Sequence, residues 1–185
     1  TLASGDIDHT VKLWNLRTGR LLRTLSGHSL PVETVAISPD GQTLVSGGDD
    51  RTIRVWSLPT GKLLHTLTGH SDYISCLAIS PDGQTLVSGT GILGDGIRVW
   101  SLGTGKLLHS IKHRIGIASL VISPNGRTLI SGSFGQLASV DNAVNTILLW
   151  DLQTGKLLRN FEKNSSSVDA LILSHDGYTL ISGNF

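Results

Sequence analysis

The chain has 185 residues and a formal net charge of +1, with 15 Lys and Arg against 14 Asp and Glu. This balance argues against capture of nucleic acid or an anionic membrane through bulk charge, because both need clustered positive residues. No apolar stretch approaches the ~20 residues that cross a bilayer, and the first residues lack the pattern of a signal peptide. The lone cysteine, Cys76, cannot pair within the chain. This favours a reducing compartment, and we expect a cytoplasmic location.

Two features of the composition are informative. The chain contains no methionine, even at position 1, which predicts a piece of a longer protein. It contains 22 glycines, which predicts many tight turns, because glycine adopts positive φ without a steric penalty.

In chain order, the first predicted elements are two short strands, 1–4 and 10–16. A turn at 18–20 follows, and the next complete set of four strands is 32–38, 43–46, 52–58 and 62–67. The same succession then returns, and the last predicted strands are 157–161, 168–174 and 178–182. The pattern predicts seventeen strands and no helix.

Two kinds of turn separate these strands and recur once in every period. The first turn, Ser-Pro-Asp-Gly, starts at Ser38 and Ser80 and returns in varied form at Ser123 and Ser174. The second turn, Thr-Gly-Arg or Thr-Gly-Lys, starts at Thr18, Thr60, Thr104 and Thr154. Pro presets φ, Asp binds the nearby backbone, and Gly takes the left-handed position. Tryptophans mark the same period, 42, 44 and 50 residues apart, at Trp14, Trp56, Trp100 and Trp150. Four short antiparallel strands per period of about 40–45 residues predict the blades of a β-propeller.

The repeat resembles the WD40 family. The resemblance is carried by Gly27-His28, by Asp50 six residues before Trp56, and by Trp56 itself, together with the two turns. It implies an all-β fold, a partial propeller of about four blades, each with four antiparallel strands. It also implies a non-catalytic scaffold that binds other proteins or peptides. The repeat further resembles the WD40 arrays of large bacterial signalling proteins, which are often joined to kinase or nucleotide-binding domains.

The resemblance implies repeats at about 1–16 (partial), 17–58, 59–102, 103–152 and 153–185 (partial). Both ends supply the second strand of a blade, so they cannot complete one shared blade. Propellers of this family usually have seven blades. We therefore expect a fragment of a seven-bladed or larger array, with the remainder of the propeller and fused domains as further partners.

In the family, a His, a Ser, an Asp and a Trp form a buried hydrogen-bonded tetrad within each blade. The second repeat matches in full, with His28, Ser46, Asp50 and Trp56. Asp50 can accept a hydrogen bond from the imidazole, whose other nitrogen reaches Ser46, and this hydroxyl can meet the indole N–H, so each buried polar atom is satisfied. The corresponding residues of the other repeats are Ser4, Asp8 and Trp14; His70, Ser88, Asp95 and Trp100; and His113, Ser131 and Trp150.

The later repeats depart from this pattern. Trp100 lies twelve positions after Ser88, against ten for the equivalent pair in the second repeat, which displaces Asp95 by one position. Trp150 lies nineteen positions after Ser131, and the expected Asp position is Val144, which predicts a broken tetrad. In the last repeat Asn164 replaces the His.

The same residue types permit three other interpretations. A catalytic Ser-His-Asp triad needs an exposed Ser beside an oxyanion hole, and a set that recurs in separate blades suits architecture better, so we expect no enzyme activity. His28, His70 and His113 are equivalent positions in different blades, too far apart to share a metal ion, so no metal or other cofactor is predicted. Nucleic-acid binding is disfavoured, because Lys and Arg are spread without interleaved aromatic residues.

The predicted binding face is the one that carries two long insertions, 90–96 and 133–146, in adjacent blades. Loops on a rigid scaffold are where binding usually resides, exposed apolar groups mark contacts, and Tyr is favoured at interface hot spots. Neutral drift in tolerant loops is the alternative interpretation. The candidate binding residues are Pro31, Glu33, Tyr73, Ile92, Leu93, Phe134, Leu137 and Val140.

Overall fold

The computed structural model describes residues 1–91, 94–113, 115–134, 145–164 and 167–184, without the side chains of 145, 146, 162–164 and 184. Ile92, Leu93, Leu137 and Val140 of the predicted binding face, and Val144, lie outside the described residues. The described part of the chain forms seventeen strands. They are β1 (Leu2–Gly5), β2 (Thr10–Trp14), β3 (Leu21–Ser26), β4 (Val32–Ile37), β5 (Thr43–Gly48), β6 (Ile53–Ser57), β7 (Leu63–Leu67), β8 (Ile74–Ile79), β9 (Thr85–Thr90), β10 (Ile97–Ser101), β11 (Leu107–Ile111), β12 (Ile117–Ile122), β13 (Thr128–Ser133), β14 (Asn145–Asp151), β15 (Leu157–Asn164), β16 (Val168–Leu173) and β17 (Leu180–Asn184).

The strands form five antiparallel meanders, which we number as sheets 1 to 5. Sheet 1 is β1-β2-β3, sheets 2 to 4 are β4 to β7, β8 to β11 and β12 to β15, and sheet 5 is β16-β17. The predicted fold class is confirmed: the protein is all-β, with four-stranded antiparallel sheets arranged as a partial propeller.

The sheets stack through their first strands. β4 contacts β8, β8 contacts β12, and β12 contacts β16, while β1 of the incomplete first sheet contacts β4. Each interface between neighbouring sheets has its own apolar core. Between sheets 2 and 3 it includes Val45, Val55, Leu86, Trp100 and Leu102. The same packed interface therefore recurs once in every sequence repeat, because each sheet buries one face against the next.

One end of the stack carries the Ser-Pro-Asp-Gly and Thr-Gly-Lys turns, and the other end carries the loops that join β5 to β6, β7 to β8 and their equivalents. We call this second end the loop face. Backbone hydrogen bonds join its two kinds of loop: Asp49 N–H donates to Pro31 O (2.9 Å) and Gly91 N–H to Tyr73 O (3.1 Å). Phe134 N–H donates to Gly116 O (2.9 Å) in the same manner in sheet 4. These bonds hold the described loops on the sheets.

Candidate protein-binding face and the polar networks beneath it

The loop face of sheet 2 rests on a continuous chain of hydrogen bonds. Trp56 Nε1–H donates to Ser46 Oγ at 2.9 Å, and Ser46 Oγ lies 2.8 Å from His28 Nε2. His28 Nδ1 lies 2.9 Å from Asp50 Oδ2. The structure thus brings together all four residues that the family resemblance grouped.

These distances fit a neutral His28 with its hydrogen on Nδ1. Ser46 Oγ accepts from the indole, so its own hydrogen is available to His28 Nε2. Nδ1–H then donates to Asp50, which makes the imidazole neutral with its hydrogen on Nδ1. Burial lowers the pKa of His28 and outweighs the Asp50 carboxylate, which acts to raise it.

Asp50 also organises the loops around it. Its carboxylate accepts hydrogen bonds from Ser29 N–H (3.0 Å), Thr52 N–H (3.1 Å) and Thr52 Oγ1–H (2.8 Å). Desolvation acts to raise the pKa of Asp50, but the bonds from Thr52, Ser29 and His28 outweigh it, and the pKa is lowered. One buried carboxylate therefore joins the loop before β4 to the loop after β5.

Sheet 3 repeats the network despite its longer loop. His70 Nδ1 lies 2.9 Å from Asp95 Oδ1 and Nε2 lies 2.7 Å from Ser88 Oγ, which accepts from Trp100 Nε1–H at 2.9 Å. Asp95 also accepts from Arg98 Nε–H (2.8 Å). Desolvation opposes ionisation of Asp95, but the bonds from His70 and Arg98 lower its pKa to about 2. The displaced carboxylate thus reaches its histidine.

Sheets 1 and 4 keep only part of the pattern. Trp14 Nε1–H donates to Ser4 Oγ (3.0 Å), and Trp150 Nε1–H donates to Ser131 Oγ (2.9 Å). Asp8, which we grouped with Ser4 and Trp14, instead pairs with Lys12 Nζ at 2.7 Å on the surface.

His113 of sheet 4 is directed to the backbone. Its Nδ1 lies 2.7 Å from Ile115 O and therefore carries the hydrogen, because a carbonyl only accepts. Its ring packs edge-on against Trp150. Burial lowers the pKa of His113. In this sheet a backbone carbonyl takes the place that a carboxylate holds in sheets 2 and 3.

The geometry of the serines disfavours nucleophilic catalysis. Ser46 and Ser88 are fully buried. Each hydroxyl oxygen accepts from an indole and faces an imidazole, so the oxygen is enclosed on the sides from which a substrate would approach. Acyl transfer requires an exposed Ser oxygen. Among the described residues, no group of three or more His, Cys, Asp or Glu is arranged to hold a metal ion.

The loop face of sheets 2 and 3 carries a cavity of about 480 Å³ that is wide open to solvent. Its lining is charged, with one aromatic ring: Glu33, Asp49, Arg51, Asp72 and Tyr73. Burial raises the pKa of Glu33, and the charge of Asp49 adds to the effect. Burial also raises the pKa of Tyr73. Two of the predicted binding residues thus share one cavity.

The other predicted binding residues are placed as follows. Pro31 is half-buried beside the cavity and accepts the Asp49 N–H bond, while Phe134 is half-buried in the loop after β13. Sequence reasoning missed Asp49, Arg51 and Asp72. They adjoin Asp50 and Tyr73, which the sequence had already singled out, so their position was the available signal.

Two histidines on the outer strands have contacts that the sequence did not indicate. The position of His65 and His109 on the outer strands β7 and β11 by itself suggests solvated edge residues. Each is half-buried, and its Nε2 meets a backbone carbonyl of the next sheet, Gly103 O at 3.1 Å and Leu152 O at 2.9 Å respectively. The expectation missed this role, because strand position alone does not reveal what the neighbouring sheet presents.

Comparison with known proteins decides the family. The model of the WD domain, G-beta repeat, matches residues 19–57, 61–101 and 105–143, which together make up more than half of the chain. The chain belongs to the WD40 repeat family. WD40 repeats are typically non-catalytic and generally serve as scaffolds for protein interaction. In the described part of the chain, no helix has the length and apolarity to cross a membrane.

Individual relatives match one repeat each. The chain is 48% identical over 42 residues to WD40 repeat-containing protein HOS15 of Arabidopsis thaliana, which is 23% of this chain and 7% of that protein. It is 49% identical over 41 residues to F-box-like/WD repeat-containing protein TBL1X of Mus musculus (22% and 8%). The same identity and length relate it to small ribosomal subunit protein RACK1y of Oryza sativa subsp. japonica (22% and 12%). The match thus spans only a small part of these relatives. All three are eukaryotic, so the likeness to bacterial signalling arrays has no support from them.

Proposed function

We propose that this WD40 chain is a non-catalytic platform that holds other proteins through its loop face. The observation that carries the proposal is the cavity of about 480 Å³ between sheets 2 and 3, with Tyr73 in its wall. Tyr combines a rigid apolar ring with a polar tip and is enriched at binding hot spots. The cavity lies on loops that backbone hydrogen bonds already hold in place, so binding costs little conformational entropy.

The charge of the cavity indicates the kind of segment it holds. Three carboxylates, those of Glu33, Asp49 and Asp72, line it with a single guanidinium, that of Arg51. Complementary charge raises the rate of encounter and selects among partners. We therefore expect a basic partner segment, with an aliphatic or aromatic side chain packed on Tyr73. This charge also disfavours a nucleic-acid partner, whose phosphates would meet the carboxylates.

The test compares two faces of the same chain. Proteins captured by the 185-residue chain are identified with and without nuclease, and the capture is repeated with Glu33→Lys/Tyr73→Ala. We expect this loop-face variant to lose the specific partners. The matched control is Asp82→Lys/Gln84→Ala on the opposite, turn-bearing end, which retains them. The proposal would be contradicted if the control variant lost the partners while the loop-face variant kept them. It would also be contradicted if nuclease treatment of the unmodified chain removed the partners.

We further propose that the platform acts in the cytoplasm as part of a larger signalling protein. The support is the lone, buried Cys76, which fits a reducing compartment, and the scaffold role of the family. Localisation of the tagged full-length protein tests the first point. The second is tested by identifying the domains encoded in the same reading frame.

A further inference from the structure

Each outer strand carries a pair of exposed leucines at the same place. The register with the preceding strand shifts there in β3, β7, β11 and β15, so each of these strands has a β-bulge. A bulge interrupts the backbone ladder and re-aims side chains, so this edge presents leucines more than free backbone groups. The leucines at the bulges are 43% to 57% exposed: Leu21, Leu22, Leu63, Leu64, Leu107, Leu108, Leu157 and Leu158.

The exposure of these leucines is a property of the repeat. Sheets 2 and 3 have four strands each and pack against a neighbouring sheet on both sides. Leu64 and Leu108 of these two sheets are nevertheless 50% and 57% exposed. Polar residues normally occupy the solvated face of a strand, and grouped apolar residues in water mark a contact surface.

The charges of the chain are segregated around the same strands. The outer strands and the turns before them, residues 15–26, 57–67, 101–111 and 151–161, contain seven Lys and Arg and one Asp. The rest of the chain contains eight Lys and Arg and thirteen Asp and Glu. The formal net charge of +1 therefore conceals a positive outer surface, and such a surface complements an acidic partner.

One bulge borders a groove between sheets 3 and 4, which we call the outer groove. It has a volume of about 370 Å³, and its walls include Val99, Leu108, His109, Gly126 and Leu152. His109 Nε2–H donates to Leu152 O at 2.9 Å, which joins the two sheets beside the groove. The groove is therefore formed before a partner arrives, and it has room for a large apolar side chain.

Three cations surround the outer groove. Lys106 comes immediately before β11. Arg127 O accepts from Leu152 N–H at 2.9 Å, and this bond places Arg127 beside the groove. Lys156 O accepts from Asp151 N–H at 2.9 Å. All three cationic side chains are exposed, and none forms an ion pair with a carboxylate in the described part of the chain.

The carboxylates of the adjoining turns are engaged locally. Asp151 accepts from Thr154 N–H (2.8 Å) and Thr154 Oγ1–H (2.7 Å). Asp82 accepts from Ser80 Oγ–H and from Gln84 N–H (2.9 Å). Each carboxylate thus serves its own turn, and the outer groove keeps an excess of positive charge.

Three other occupants fit this surface less well. On a second copy of the chain, the exposed Ile7 lies between Asp6 and Asp8, but both carboxylates are already paired with Lys12. The phosphates of a nucleic acid would pair with the cations, but its charged backbone would leave the leucines in a polar environment. Membrane interfaces favour Trp and Tyr, and β3, β7, β11 and β15 contain neither.

We propose that the outer groove binds an acidic segment of a partner protein that carries a leucine or a phenylalanine. The apolar side chain of the segment packs between Leu108 and Leu152. Its carboxylates pair with Lys106, Arg127 and Lys156. The apolar side chain provides most of the affinity, and the charges provide orientation and selectivity. This site is separate from the loop face, so either proposal can fail without the other.

The first probe is a phage library of random dodecapeptides, selected on the immobilised full-length protein and counter-selected on Leu108→Ser/Arg127→Glu. We expect the clones that depend on the groove to be enriched in Asp and Glu around a Leu or a Phe. A selection without groove-dependent clones, or groove-dependent clones without an excess of acidic residues, would overturn the proposal. Groove-dependent binding of phosphatidylserine vesicles or of a DNA duplex, in place of peptides, would overturn it as well.

The second probe is one selected peptide, fluorescently labelled, titrated with the full-length protein and followed by anisotropy. Its binding is expected to weaken about tenfold or more in Leu108→Ser/Arg127→Glu. The matched control is Leu64→Ser/Gln84→Glu, at the equivalent positions between sheets 2 and 3, which retains binding. All four substituted side chains are exposed, so folding is preserved, and equal urea midpoints check this. Loss of binding in the control, or in Tyr73→Ala on the loop face, would show that the peptide lies elsewhere.

Discussion

At the scale of single residues, the polar groups beneath the loop face form one-directional chains of hydrogen bonds. In sheet 2 the chain runs from Trp56 through Ser46 and His28 to Asp50, whose side chain is only 5% exposed. Each donor meets an acceptor, which is the condition for keeping such groups inside a protein. Because the carboxylate is the terminal acceptor, its removal leaves the imidazole N–H and the Ser29 N–H without a partner.

We therefore expect Asp50→Ala to destabilise the protein by about 1–3 kcal/mol, the usual cost of leaving a buried donor unsatisfied. The matched control is Asp82→Ala. This exposed carboxylate accepts from Ser80 and Gln84 only within its own turn, so the loss is expected to be smaller. The free energy of unfolding in urea measures both. Equal losses would show that the His28 network does not stabilise the fold.

The buried histidines should make stability depend on pH. Burial lowers the pKa of His28, His70 and His113 below the ordinary value, so the unfolded chain binds protons more readily than the folded one. Their contribution is complete above a pH of about 6.5 and is lost as the pH falls through the lowered folded values. Asp95 acts in a lower window: its stabilisation is present above the ordinary carboxyl range and is lost as the pH falls towards about 2.

Between pH 7.5 and pH 5.5, we expect the free energy of unfolding to fall by at most about 1.4 kcal/mol per pH unit for each histidine. The urea midpoint is expected to fall with it. His70→Gln is expected to reduce this fall. A midpoint independent of pH in the unmodified chain would mean that the folded and unfolded states bind protons equally over this range.

At the scale of elements, the second strand of each of sheets 2 to 4 carries a glycine where the next sheet comes close. A Cβ added at Gly47 would lie 2.5 Å from Ile74 Cγ2, and one at Gly89 would lie 2.8 Å from Ile117 Cβ. Gly132 meets Val168 in the same way. The absence of a side chain here sets the spacing of the sheets, because the first residue of the next sheet occupies that volume.

Gly47→Ala is therefore expected to cost about 1–3 kcal/mol through overpacking. The matched control is Gly183→Ala, at the equivalent position of β17, where the nearest atom to an added Cβ is that of Ala170 at an ordinary 3.7 Å. Neither glycine has a positive φ, so backbone strain does not enter the comparison. The measurement is the difference in urea midpoint, and a loss at Gly183 as large as at Gly47 would contradict this account of sheet spacing.

At the scale of the whole molecule, the stack leaves apolar side chains uncovered on sheet 5. Ile181 is 62% exposed, whereas its equivalents Val45 and Val87 are fully buried against the next sheet. Ile172, opposite Ile181, is 64% exposed. Contiguous apolar groups of this kind favour association.

We expect the 185-residue chain to self-associate in solution through this face. Ile172→Asp/Ile181→Asp is expected to lower the mean molar mass in light scattering. The two introduced carboxylates stay in water, because burying them against a second chain would be unfavourable. The control is Leu64→Asp on an outer strand, where the equivalent leucines are exposed in every sheet that has this strand. A monodisperse monomer from the unmodified chain would contradict the prediction.

The sequence by itself determined the elements. Turns, tryptophans and strands recur with one period, so the number of strands and their grouping into sheets follow from local chemistry: glycine and proline bend the chain, and alternating apolar residues form strands. The four polar residues of sheet 2 could also be grouped before the structure was known, through the likeness of this repeat to the WD40 family, and they reach each other within hydrogen-bond distance.

Only the tertiary structure decided what happens between repeats and in irregular loops. Asp95 reaches His70 although it is displaced in sequence, and His113 turns to a carbonyl of its own loop. His65 finds its acceptor on the next sheet, and Glu33 and Tyr73, from different sheets, line one cavity. The reason is physical. The repeat specifies contacts within a sheet, whereas contacts across sheets depend on the stacking distance that the packed cores and the glycines set.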